Sequence, residues 1–363
     1  MYKIRRAKEN DLEEIVDLVN KVFRAPDLPL SMGQQFPLLL GEDNVDNLYI
    51  AENEEGKIVS HNGIIKNRIK IYGHQLSFAS MGSVCTHPDY RGQGIATSIL
   101  EKIFENLYQE KVSLLTISGA RGLYTRQGAD FTAGKKEYLI DKNLDFKNNN
   151  KLDFHYYKNQ VPDKMNEITE IYHNEPVRYE RKRWEFPLLI NAMAPVHDVP
   201  YPPDYFVLTI SRKGRMLAYI VGQLKEDKYK LIEYAGERLA VIEGIKYLKD
   251  EKKISEVNID VPFYDKILSN HLDNLGVEVE ESSYGATYKV INQDNLITEI
   301  IPIIKEKNRR KQLNIDKEVS LKSMDKEKLL HFLFDDYSRE EYENDLPEVL
   351  PLPLPNPGCL NYI

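Results

Sequence analysis

Two cysteines in a chain of 363 residues, Cys85 and Cys359, are too few and too far apart for a disulfide framework. No CxxC pair or Cys/His cluster accompanies them, so a zinc centre is not indicated and no metal site is expected. Cys85 is expected to be a small buried residue. Basic residues are not in excess either. Lys plus Arg number 49 against 57 Asp plus Glu, a formal net charge of −8. That balance argues against a nucleic-acid binder, which must neutralise phosphates, and mildly favours cationic partners through long-range attraction. No apolar run is long enough to span a bilayer, and the start, MYKIRRAKENDLEEI, lacks the apolar core of a signal peptide. These absences leave a soluble, cytoplasmic globular chain with no membrane partner, long enough for two or more domains.

The familiar phosphate loops are missing as well. There is no GxxxxGK followed by Ser or Thr, and no GxGxxG near the start of the chain with an acid on the next strand. What is there is SVCTHPDYRGQGIAT, Ser83 to Thr97. Ser83 to Thr86 is small and partly β-branched, as a buried strand should be, and His87-Pro88-Asp89-Tyr90 breaks it. Arg91-Gly92-Gln93-Gly94-Ile95-Ala96 then opens an apolar-periodic run, Ile95, Ile99, Leu100 and Ile103, which predicts an amphipathic helix. Glycines at a helix N-terminus let a ligand approach unpaired N–H groups, and the helix dipole adds to an anion site suited to a pyrophosphate.

Arg-x-x-Gly-x-Ala, preceded by a Val-x-Thr strand and His-Pro-x-Tyr, resembles the acetyl-CoA signature of the GNAT superfamily of N-acetyltransferases. The order of elements around it agrees. A strand at Tyr2–Ala7 precedes a helix carrying Leu12, Ile15, Val16, Leu18, Val19 and Val22, capped from Glu9-Asn10-Asp11. The irregular stretch from Arg24 to Pro37 is read equally as a wall of the substrate cleft or a plain connection. Strands follow at Leu48–Glu52, Lys57–Asn67 and Gln75–Met81, then the Ser83–Thr97 element and its helix to about Gln109. A strand at Val112–Ser118, the loop Gly119-Ala120-Arg121-Gly122 and a last strand at Tyr138-Leu139-Ile140 complete the resemblance over residues 1–142.

Residues 143–154, Asn-rich at their start, are read as a linker. The grammar then repeats over 155–294. A helix is expected near Asp163–Tyr172, and strands at Phe206–Ser211, Arg215–Leu224 and Lys228–Tyr234. After them come a helix at Leu239–Asp250, a strand at Val257–Val261, a helix at Tyr264–Leu275 and a strand at Thr287–Ile291. At the position of the pyrophosphate turn stands Ala235-Gly236-Glu237-Arg238-Leu239-Ala240, where an acid would repel a phosphate, so this copy is expected to bind no coenzyme. Residues 295–363 form a small C-terminal module, with helices at Leu296–Glu306 and Lys326–Phe334. Beyond them lie the proline-rich Pro347–Pro355 and an apolar, aromatic ending expected to be docked. The expected fold is thus α+β (mixed α/β), a GNAT fold with a central mixed sheet, a degenerate second copy and this module. That plan is similar to the acetyltransferases called enhanced intracellular survival proteins, although about 70 residues are too few for the sterol-carrier-like domain of that family.

The resemblance implies an acetyl-CoA-dependent N-acetyltransferase acting by direct attack of a primary amine, borne by a small cation or a peptide. It also suggests a homo-oligomer. Its coenzyme-binding residues map onto Val84, Cys85 and Thr86, Arg91, Gly92, Gln93, Gly94, Ile95, Ala96 and Thr97, with Ser118 and Gly119 lining the same groove. A backbone N–H of the Val84–Thr86 strand would polarise the thioester carbonyl. Tyr124, in Gly-Leu-Tyr-Thr-Arg-Gln-Gly, resembles the tyrosine of the family's Leu-Tyr-x-x-x-Gly, and a phenol is protonated at neutral pH and can donate to the leaving thiolate. An alkylamine arrives protonated, so a base is needed. In the similar family it is the terminal carboxylate, which maps onto Ile363. His61, His87 and Glu52 are weaker candidates. A non-catalytic acyl-CoA sensor is the competing reading, and the intact Tyr124 favours catalysis.

Overall fold

The computed structural model describes residues 2–24, 31–141, 144, 151–193, 204–307, 321–335 and 350–363. The chain divides into two compact units, residues 1–132 with 285–352 and Ile363, and residues 133–284 with 353–362. Pro347 to Val349 and most of the expected linker lie outside the described residues.

The first unit starts with β1 (Lys3–Arg6), α1 (Leu12–Phe23), a short α2 (Met32–Gln35), β2 (Leu48–Glu52), β3 (Ile58–Ile71) and β4 (His74–Thr86). Next come α3 (Ile95–Gln109), β5 (Leu114–Ser118) and the one-turn α4 (Gly122–Thr125). The two strands expected at 75–81 and 83–86 are one strand, β4, interrupted by a bulge. His61 pairs with Cys85 and Gly63 with Gly82, so Ser83 and Val84 oppose the single residue Asn62. Ser83 sits at φ 49°, the left-handed region that a G1-type bulge uses and a serine seldom adopts. β4 runs parallel to β5 only from Phe78–Leu114 to Met81–Ile117, and no ladder joins them beyond that point. α3 covers this sheet with Ile95, Ile99, Leu100, Ile103 and Leu107, all buried and on one stripe against Tyr49, Met81, Val84 and Ile117. Burying each such side chain contributes about 1.5–3 kcal/mol.

The second unit contains β6 (Gly134–Ile140), β7 (Asp153–Lys158), α5 (Met165–His173), β8 (Val177–Tyr179), α6 (Glu185–Ala192) and β9 (Tyr205–Arg212). It continues with β10 (Arg215–Lys225), β11 (Lys228–Gly236), α7 (Arg238–Asp250), β12 (Glu256–Pro262), α8 (Lys266–Asn274) and β13 (Glu278–Ser283). Its sheet runs β13-β6-β12-β11-β10-β9-β7, again with one parallel pair at the centre, β11 with β12. Buried in it, Arg181 makes two hydrogen bonds to the Glu233 carboxylate, at 3.0 and 2.9 Å, and lies over the rings of Tyr172 and Phe186. The same guanidinium donates to the Asn361 side chain, so the segment 353–362 is tied into this unit, where Leu354 and Leu360 are buried.

The chain returns to the first unit with β14 (Ala286–Val290), α9 (Gln293–Lys307) and α10 (Lys326–Phe334). This corrects the expected partition into 1–142, 155–294 and 295–363. The strand holding Tyr138–Ile140 belongs to the second sheet, between β12 and β13, and the strand holding Thr287 pairs with β5 in the first. Alternation of apolar residues shows that both segments are strands but does not encode which sheet receives them. Cross-strand charge does bear on it. Lys135 bonds to Asp260 at 2.8 Å, a pairing that residue order alone does not suggest. The C-terminal module is likewise no separate body, since α9 and α10 pack within the first unit.

Candidate active site

Beside the bulged end of β4, a cleft of about 580 Å³ opens in the first unit. Val84, Cys85 and Thr86 from the bulged end of β4 line it, as do Arg91, Gly92, Gln93, Gly94, Ile95, Ala96 and Thr97 from the turn into α3. All ten belong to the stretch Ser83–Thr97 described above. Gly92 and Gly94 have φ values of 78° and 76°, and a Cβ on either would meet nothing within 4 Å. These glycines therefore serve the turn's backbone geometry and leave its surface bare for a ligand. Arg91 is held at the edge by its Nε–H donating to the Thr86 carbonyl at 3.1 Å.

Ser118 and Gly119 are not among the cleft's lining residues. They end β5 and face β14, where Ser118 pairs with Ala286 and the Gly119 carbonyl accepts from the Thr287 hydroxyl at 3.1 Å. Conversely, Val22 and Phe23 at the end of α1, Tyr90, Arg121 and Leu123 line the cleft without having been singled out. For Arg121 a signal existed, a lone cation in the glycine-flanked loop after β5.

Tyr124 follows Leu123 on α4 and is only 2% exposed. Burial pushes its phenol up, Arg121 offsets part of that and Cys85 adds to it, so two cleft residues lie within electrostatic reach. The Cys85 thiol is itself pushed up to about 12 by burial, which keeps it an unreactive thiol. Ile363 lies against β4 at Gly82. A Cβ built on that glycine would come within 2.7 Å of the Ile363 carbonyl carbon and 2.9 Å of its oxygen.

The remaining base candidates are engaged elsewhere. Glu52 is bound by the Arg5 guanidinium, which holds its carboxyl below the usual range. His87 caps the turn after β4, its Nδ1 accepting from the Asp89 N–H at 3.3 Å, with Lys21 Nζ 2.8 Å from Nε2. His61 is fully buried, and burial pushes its pKa down to about 3. Among the described residues no cluster could hold a metal ion, and no helix is long and apolar enough to cross a membrane.

A family model described as an acetyltransferase (GNAT) domain matches residues 3–132. Those residues are a GNAT acetyltransferase domain. The match covers the strand, bulge, turn and tyrosine described above, and gives the chain an acyltransferase domain. No curated protein matches the chain in sequence. Solved structures resemble it in fold. A protein of unknown function from Enterococcus faecalis, described as a probable N-acyltransferase, superposes with a TM-score of 0.64 at 15% identity, covering 82% of this chain and 74% of the other. A GCN5-related N-acetyltransferase from Anabaena variabilis gives 0.64 at 14%, covering 82% and 75%. Eis1 from Mycobacterium abscessus gives 0.60 at 12%, covering 82% and 76%. These likenesses extend well beyond the GNAT domain, so the second sheet belongs to the shared architecture.

Proposed function

We propose that the chain is an acetyl-CoA-dependent N-acetyltransferase whose acceptor is a primary amine on a small cation or a peptide. The observation that carries this reading is the cleft lined by Val84–Thr86 at the end of β4, which ends on the bare turn Gly92–Thr97. Its N–H groups and the α3 dipole suit a pyrophosphate. Arg91 and Arg121 add positive charge, and the unpaired edge of β4 beyond Met81 suits the extended pantetheine arm.

The thioester supplies the acetyl group. The amine nitrogen forms the new C–N bond and the C–S bond breaks. A backbone N–H of Val84–Thr86 donates to the carbonyl oxygen as it gains charge. Tyr124 gives its phenolic proton to the departing thiolate, and burial keeps that proton on the oxygen through the neutral range. The ammonium proton leaves to the carboxylate of Ile363, directly or through a water. A carboxylate with an ordinary pKa of about 3.3–3.7 is a weak base, so close placement has to make up for it.

The test is release of free CoA thiol from acetyl-CoA with a panel of amines. Turnover is expected for the wild type. Tyr124→Phe is expected to lower kcat about 10²-fold or more, the usual worth of a positioned acid, with little change in the KM for acetyl-CoA. Because burial raises the phenol, wild-type activity should hold on the alkaline side up to at least about pH 10, the ordinary phenol value. Tight acetyl-CoA binding without turnover on any amine would instead favour the sensor reading.

A further inference from the structure

We propose that His61 is a positioning residue. Its ring holds Ser83 in the left-handed backbone conformation that makes the β4 bulge, and so sets the strand edge Val84–Thr86 along the cleft. The inference rests on the acyl-CoA reading of that cleft.

Three observations meet at one contact. His61 Nε2 and Ser83 Oγ share a hydrogen bond of 3.0 Å. Ser83 is the residue with positive φ at the point where the β3–β4 register shifts. The imidazole is fully buried, and that placement costs desolvation unless the ring does something with its polar atoms. Glycine occupies this position of a bulge without strain, whereas an L-residue there must be held. A Cβ on neighbouring Gly63 would lie 3.3 Å from His61 Nε2 and 2.9 Å from Leu39 Cδ1, so a glycine at 63 leaves the room the ring takes up. Burial disfavours the charged imidazolium and so makes the ring a weak base.

If His61 only packed the core, the conformation of Ser83 would be indifferent to it. If it holds the bulge, a glycine at 83 makes it dispensable. The experiment is calorimetric binding of acetyl-CoA and of ADP to the full chain. ADP reports on the Gly92–Thr97 turn alone, and acetyl-CoA on the turn and the bulged strand together. His61→Leu should weaken acetyl-CoA about tenfold, the factor that corresponds to the cost of an unsupported left-handed residue, and leave ADP unchanged. Ser83→Gly should bind both like the wild type, and His61→Leu combined with Ser83→Gly should recover the acetyl-CoA affinity. Should His61→Leu not fold, Ser83→Ala removes the same hydrogen bond from its other end and is expected to show the same selective loss.

Wild-type acetyl-CoA affinity in both His61→Leu and Ser83→Ala would overturn the proposal. So would a loss that Ser83→Gly does not restore. A wild-type chain that binds neither ligand would overturn the coenzyme reading first, and this inference with it. In turnover assays, a kcat defect of His61→Leu that persists in the Ser83→Gly background would make His61 a base and overturn the positioning role.

Discussion

Gly82 is the residue on which the placement of Ile363 depends. It pairs with Gly63 across β3 and β4, and a methyl group on it would overlap the Ile363 backbone at 2.7 Å. Backbone cannot swing aside as a flexible side chain can, so Gly82→Ala should displace Ile363. The expected result is a kcat lowered about tenfold or more, since ångström-scale misplacement near a reacting centre is costly, with the KM for acetyl-CoA close to wild type. The same substitution in a chain stopping at Asn361 should add nothing further, because the residue it displaces is gone. Steady-state kinetics on the four proteins checks this, and an additive loss would place the fault in β4 itself. At this scale the sequence was informative wherever chemistry demands a residue type. The turn needs glycines and an arginine, and Arg91 to Thr97 line one cleft. The resemblance puts Ser118 and Gly119 in the same groove, but their bonding to β14, 168 residues away in the chain, turns them to a strand that local reading cannot foresee.

β4 and β5 must be joined at one end and apart at the other, and α9 contributes to the joined end. Both carboxylate oxygens of Glu299 accept from the Ser77 N–H, at 3.1 and 3.0 Å, and one also accepts from the Ser113 hydroxyl at 2.5 Å. Glu299→Ala leaves these donors without that partner in a partly buried place, and should destabilise the fold by about 1–3 kcal/mol. Urea denaturation followed by circular dichroism measures it. Glu299→Gln, which keeps an acceptor oxygen, should lose less than the alanine variant. Element identity was largely legible: α3 ends at Gln109 and α10 spans Lys326–Phe334, as their periodicity predicted. The edge strand β13 is hard to read because an exposed strand carries little alternation, as in Glu-Val-Glu-Glu-Ser-Ser. The exchange of β6 and β14 between sheets was hidden for a different reason. A linear reading takes consecutive strands as neighbours, and here the neighbour of β5 arrives after the whole second sheet.

Across the whole molecule, the two units carry the same strand-turn-helix device in opposite states. In the first, Gly92 and Gly94 face open space. In the second, a cleft of about 540 Å³ also stands at the corresponding turn, but the turn's donors are taken from within. The Gly236 N–H donates to Glu175 at 2.7 Å, and Arg238 binds Glu175 through two further bonds and Asp265 through a third, also 2.7 Å. A carboxylate thus takes the N–H at a turn that in the first unit is open to a phosphate, and its charge is already matched by the guanidinium. Backbone also crowds the first residue of this turn, since a Cβ on Gly236 would come within 2.1 Å of the Leu217 carbonyl oxygen. Two obstacles of different kind argue that one acyl-CoA binds per chain. Titration calorimetry with acetyl-CoA should give a stoichiometry of about one, where two equivalent open turns would give about two. Glu175→Ala removes the carboxylate but not the close approach of Leu217, so its stoichiometry should stay at one while its unfolding midpoint falls, because Arg238 loses a partner in a largely buried position. A second site gained in that variant would mean that the carboxylate alone keeps the turn closed, and that the backbone at Gly236 yields to a ligand.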